Sequence, residues 1–177
     1  MSIQPSLGFA GVWRATSGHD AQALALVDGS AVGAPPHYSR RSPGSRSFTG
    51  IGREIVLVHK TGRAVWSVVL QRTPAPKGTG KSRGREGPTP QGRWLWRNNV
   101  FRNEGAGLSS TLIAEATEAT HVLWARKYGT VPEARMRTEV RISAVKSTNP
   151  GFCYLAAGWV RAPCQRKGYR YFWEPER

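Results

Sequence analysis

Residues 100–128 constrain the fold of this chain more than any other stretch. Val100-Phe-Arg-Asn-Glu-Gly-Ala-Gly-Leu108 ends an apolar strand candidate, places Gly-x-Gly at its exit and opens at once into a helical pattern. Leu108, Leu112, Ala116, Leu123 and Trp124 fall on one stripe, with Glu115, Glu118 and Arg126 off it, and Gly129 and Pro132 end the helix. Glycines let a backbone approach a ligand closely, and the unpaired N–H groups of a helix N-terminus attract anions. That arrangement suits a pyrophosphate; taken alone, a Gly-x-Gly is equally an ordinary strand-to-helix turn.

The rest of the pattern is mostly strand. Gly8–Thr16 reads as a first strand, and Asp20–Val27 as a short helix stopped by Gly29. Ile51–His59 and Ala64–Gln71 form a hairpin about Lys60-Thr61-Gly62-Arg63. Arg93–Phe101, Met136–Val145 and Tyr169–Trp173 are further strands, and Pro150–Ala157 is a short helix opened by Asn149 and closed by Gly158. Residues 29–49 carry no periodicity and read as a long, functional loop. Pro74–Gly92 holds five Gly and four Pro in nineteen residues and reads as a mobile basic loop. The order predicts one α+β domain over 1–177, a mixed, mostly antiparallel twisted sheet with flanking helices.

Charge narrows the partners. The 177 residues carry 26 Lys+Arg against 11 Asp+Glu, a formal net charge of +15. Residues 29–103 alone hold 14 bases and two acids, net +12, whereas 1–28 are net −1 and 104–177 net +4. A polyanion such as double-stranded DNA fits so basic a middle segment, because each phosphate contact adds salt-sensitive affinity. Arg40, Arg41, Arg46, Lys77, Lys81, Arg83 and Arg85 are the candidate phosphate contacts. Two cysteines make no disulfide scaffold, no Cys/His cluster has zinc spacing, and no apolar run approaches the ~20 residues of a membrane span. The expected setting is a reducing cytoplasm, that of the bacterial host if the chain is phage-encoded, with no membrane contact; monomer and dimer stay open. Lys77-Gly-Thr-Gly-Lys-Ser82 lacks the earlier glycine of a P-loop, since position 75 is Ala, and the Gly- and Pro-rich residues after Ser82 cannot form a helix.

Arg102-x-x-Gly105-x-Gly107 resembles the Arg/Gln-x-x-Gly-x-Gly/Ala motif of the Gcn5-related N-acetyltransferase superfamily, and Asn149-Pro-Gly-Phe-Cys-Tyr-Leu-Ala-Ala-Gly-Trp159 resembles its second signature. The resemblance implies an acetyltransferase-like fold and an acyl-coenzyme A donor. Val100, Arg102, Asn103, Gly105, Ala106, Gly107 and Leu108 would hold it, and Tyr154 would protonate the departing thiolate. His37-Tyr38-Ser39 resembles a triplet of the Mom DNA-modification family of phage Mu and related phages, as does Ala157-Gly158-Trp159. That likeness implies conversion of adenine in DNA to an N6-substituted base, by carbamoylmethylation or a related acyl transfer, which shields DNA from restriction. It places His37 and Tyr38 at the active site as catalytic groups and iron ligands. Many relatives carry Tyr-Ala-Asp after the long helix where this chain has Arg137-Thr138-Glu139-Val140, so Glu139 is the local carboxylate. Two other functions fit the same residues: an acyl-coenzyme A-dependent N-acetyltransferase acting on a small amine or a protein, and a non-catalytic nucleic-acid-binding protein on this fold.

An exocyclic adenine amine is a weak nucleophile, so the reaction needs positioning, a base and an activated electrophile. An enclosed pocket would require the base to be flipped out, and Trp94, Trp96 and Phe101 are stacking candidates or core aromatics.

Overall fold

The computed structural model describes residues 11–29, 36–37, 46–49, 52–72, 94–164 and 166–177. Seven strands form one sheet: β1 (Trp13–Thr16), β2 (Arg53–His59), β3 (Ala64–Arg72), β4 (Trp94–Asn103), β5 (Arg137–Arg141), β6 (Val160–Ala162) and β7 (Tyr169–Trp173). The order across the sheet is β1-β2-β3-β4-β5-β7-β6. Neighbours are antiparallel except β4 and β5, which run parallel and are joined through the long helix α2 (Ser109–Tyr128). Parallel neighbours require such a crossover. The predicted α+β class, a mostly antiparallel sheet with flanking helices, is therefore what the chain adopts.

Local chemistry sets several boundaries. The short helix α1 (Ala21–Asp28) starts where the Asp20 carboxylate accepts the Ala23 N–H at 2.9 Å, and it ends at Gly29, whose φ of 81° only glycine adopts readily. The predicted hairpin joins β2 to β3. Other boundaries differ from expectation. The strand predicted to reach Val145 stops at Arg141 and tightens into a 3-10 turn over Ile142–Ala144. The helix α3 (Phe152–Ala156) is opened by Gly151 at φ 87° and not by Asn149, whose side chain instead accepts from Arg170 Nη1 at 2.7 Å. Leu108 does not join the apolar stripe. It precedes α2 in extended conformation and is 72% exposed.

Two cores sandwich the sheet. On one face α2 packs Leu112, Ile113, Ala116, Leu123 and Trp124 against Trp66, Val68, Trp96, Tyr154, Trp159 and Phe172. Four of these are fully buried tryptophans, and truncating any one should cost about 3–5 kcal/mol. On the other face α1 sets Ala23, Leu26 and Val27 over Val56, Val58, Val65 and Val100. Beyond β7 the chain is tied back by Glu174, 1% exposed, which accepts His121 Nε2 at 2.6 Å and the Met136 N–H at 2.8 Å. Burial alone would raise this carboxyl; the bonds from His121 and Met136 outweigh it and hold it below 4.5.

Candidate functional site

β4 and β5 pair through only two rungs, Arg97 with Arg137 and Asn98 with Thr138, and then separate. The fork they leave lies outside the carboxyl ends of two parallel strands, where ligands bind in open sheets. A bulge sharpens it: Ser67 pairs with Val100 and Val68 with Asn98, so Asn99 is the extra residue. The bulge also reverses the alternation, which is why Asn98 faces the α2 core and Val100 the α1 core.

On the α2 side the floor of the fork is a closed polar network. Asn98, 2% exposed, donates from Nδ2 to the carbonyls of Ser67 and Val100, both at 2.9 Å. Its Oδ1 accepts Tyr154 Oη at 2.7 Å and Thr138 Oγ1 at 3.0 Å. Every hydrogen-bonding position of the amide is thereby used. Tyr154 is 5% exposed, stacks on Phe172 at 5.7 Å and meets Phe101 and Trp159 edge-on. It is both a packed aromatic and a hydroxyl bonded directly to the last rung.

The glycine loop follows directly from β4. Asn103 organises it: Oδ1 accepts the N–H groups of Gly105 at 3.1 Å and Ala106 at 2.9 Å, while Nδ2 donates to the Gly107 carbonyl at 2.8 Å and to Ser109 Oγ at 2.9 Å. Two of the amides expected to hold a pyrophosphate are thus occupied by the loop's own side chain. The donors left for an anion are those of the first turn of α2, which begins with neither a side-chain cap nor an acidic residue. Gly105 at φ 87° is required for the turn, and a Cβ there would sit 3.6 Å from the Arg63 guanidinium. A basic group therefore already borders the loop. Arg102 is committed to Glu104 through Nε. Val100, 1% exposed, packs in the α1 core rather than facing a ligand, and Leu108 is solvent-exposed.

His37 lies on the α1 face at the top of β4. Its N–H donates to the Val27 carbonyl at 2.8 Å, and its ring is bonded to the backbone of Phe101 beside Arg102. Burial pushes the imidazole down from 6.5 to about 4, with Arg102 adding to the effect and the Phe101 bond opposing it. The ring is neutral at pH 7. A base or metal ligand needs that form, but the neighbouring guanidinium disfavours a cation. Among the described residues no three His, Cys, Asp or Glu side chains converge on a point. The described residues do not make an iron site.

Glu139 occupies the other side of the fork from Tyr154, because successive residues of β5 alternate between faces. Arg137 Nη2 lies 3.0 Å from its carboxylate, and Arg97 and Arg166 each 3.8 Å. The fork therefore has a hydroxyl on one side and an arginine-held carboxylate on the other. Of the aromatic candidates, Trp96 is fully buried, Phe101 is half-buried, and Trp94 is 58% exposed. Arg46 is exposed. Tyr38, Arg40, Arg41, Lys77, Lys81, Arg83 and Arg85 lie outside the described residues, as does loop 74–92. Sequence reading missed Asn98, Thr138, Arg63, Arg97 and Arg166. Asn98 alone left a signal, an amide two residues from Trp96 on a strand's apolar stripe.

An apolar groove of about 380 Å³ lies apart from the fork, between the outer side of α2 and the tail, and includes Val122, Trp159 and Pro175. Among the described residues no helix is long and apolar enough to cross a membrane.

No family model matches the chain, and no curated protein matches it. Among solved structures the chain is similar to AtaTR bound with AcCoA, at a TM-score of 0.40 and 13% identity, over 68% of this chain and 69% of that one.

Proposed function

We propose that the chain is a transferase that moves an acyl-type group from a coenzyme A thioester to an amine, with an exocyclic amine of a DNA base as the acceptor. The observation that carries this reading is the fork: two parallel strands parting at Asn98 and Thr138, with the Tyr154 hydroxyl bonded to that rung. The uncapped start of α2 and its glycine loop continue from the same strand. The charge of +15 supports a nucleic-acid acceptor, and the likeness of His37-Tyr38-Ser39 to the Mom family supports adenine N6 in particular.

The first turn of α2, with the open approach at Gly107 and the Arg63 guanidinium beside the loop, would hold the donor's pyrophosphate. The donor supplies an activated thioester carbonyl. In the transfer the amine nitrogen bonds to that carbon, the C–S bond breaks, the amine loses a proton and the thiolate gains one. Tyr154 has the proton to give, the one its hydroxyl now donates to Asn98. His37 is neutral and able to accept the amine's proton, though a group at about 4 is a weak base. Glu139 borders the fork from the acceptor side, oriented by its ion pairs.

Nucleoside mass spectrometry of DNA from cells expressing the chain tests this directly. A new deoxyadenosine derivative is expected with the wild-type chain. Tyr154→Phe should cut its yield at least ~100-fold while donor binding persists and stability falls by about 1 kcal/mol. Unmodified DNA together with acylation of a small amine or a protein by the same chain would move the acceptor elsewhere.

A further inference from the structure

The sheet face opposite α2 is divided. α1 covers it over β2, β3 and the upper part of β4. Past β4, the register sets Arg97 beside Arg137, Arg137 opposite Trp173 and Glu139 opposite Tyr171. Paired residues share a face, so all five side chains emerge together on the half that α1 leaves. Among the described residues, every ion pair of Arg97, Arg137 and Arg166 ends on Glu139. Among the described residues of this cluster three positive charges thus face one negative charge.

Aromatic rings layer with these guanidiniums. Arg137 lies 4.6 Å from the Tyr171 centroid and 5.8 Å from that of Trp173, and Arg166 lies 3.8 Å over Tyr169. Arg137 is buried, whereas Arg166 is exposed and Tyr169 and Trp173 are only half-buried. Two buried polar atoms at the adjacent bulge, Arg97 Nε and Asn99 Oδ1, have no partner among the described residues. Seven further buried polar atoms of the described residues share that state, and water or a ligand completes such atoms.

We propose that this face binds a single nucleic-acid strand, with phosphates on Arg97 and Arg166 and a base stacked over the Tyr169–Arg166 layer. Guanidinium forks match phosphate oxygens in plane, and aromatic faces accept any base that is out of its duplex. A small carboxylate would use the arginines and leave the rings idle. An intact duplex would offer phosphates but keep its bases from the rings. The proposal goes beyond the transfer reaction above and does not depend on it.

Fluorescence anisotropy of a labelled single-stranded oligonucleotide and its matched duplex, titrated with the full chain over a range of salt and without donor, tests it. The single strand should bind more tightly. Replacing Arg97 and Arg166 together by Gln should weaken it at least tenfold and flatten the salt slope by about 1.4, following ~0.7 per phosphate on a single strand. Arg166→Gln alone changes one exposed side chain and should remove about half of that slope. Tyr169→Ala should weaken binding by roughly 5- to 150-fold with the slope unchanged, because stacking releases no counterions. Wild-type affinity in these variants would overturn the proposal, and so would a duplex bound as tightly as the single strand. Failure of the transfer reaction would change none of these readings.

Discussion

The glycine loop and the Glu139 cluster flank the same strand and are built in opposite ways. The loop is local: Asn103 binds Gly105, Ala106, Gly107 and Ser109, so its geometry is set within seven consecutive residues. The cluster is assembled at long range, from Arg97 on β4, Arg137 and Glu139 on β5, Arg166 before β7, and Tyr171 and Trp173 on β7. A local device presents backbone donors and tolerates change elsewhere. A long-range device presents side-chain charges and exists only when the sheet is closed. The two sides of the fork should therefore fail differently when disturbed.

The largest expected effect lies on the local side. Gly107→Glu puts a carboxylate beside the start of α2; a Cβ at this position meets nothing nearer than the Leu112 side chain at 4.0 Å, although the φ of 159° is one that L residues rarely adopt. Turnover should fall about 1000-fold or more through loss of the anion site, with the circular dichroism of the fold retained and stability lowered by only about 1–3 kcal/mol through backbone strain. Normal turnover would show that this loop holds no charged donor.

The cluster should respond in stability instead. Glu139→Ala leaves the buried Arg137 and the partly buried Arg97 without their carboxylate, a loss of about 2–3 kcal/mol in urea unfolding. If stability holds while turnover collapses, Glu139 acts on the reaction and not on the sheet.

His37 belongs to neither region and offers a pH test. Its value in the folded chain, about 4, lies below the ordinary 6.5, so between those values the unfolded chain binds more protons. The stability this neutral ring contributes is complete above pH 6.5 and is lost as pH falls towards about 4. The loss should be about 3 kcal/mol, and His37→Ala should remove that slope from unfolding curves taken across the window. An unchanged slope would mean that the ring is not buried against Arg102.

The smallest effect should be the most local. Asn103→Ala should cost about 1 kcal/mol, with faster hydrogen exchange confined to the loop and the first turn of α2. Exchange that spread to β5 would show the loop to be coupled to the cluster, and the contrast between the two regions would fail.

What the sequence determined by itself was whatever is encoded over short stretches. Asp20 and Gly29 bracket α1, Gly62 turns the hairpin, Gly105 allows the loop, and the stripe from Leu112 to Trp124 defines α2. Each rests on a backbone angle, a cap or a period that neighbouring residues carry. The tertiary structure decided the rest. β5 ends early because the chain closes a 3-10 turn over Ile142–Ala144, with the Val145 N–H donating to the Ile142 carbonyl, and β6 is only three residues long, with no period to detect. The fork, the burial of Asn98 under Tyr154 and the convergence of three arginines on Glu139 all depend on which strands become neighbours. Pairing across the sheet is a long-range choice made by closing the core, and no window of sequence contains both partners.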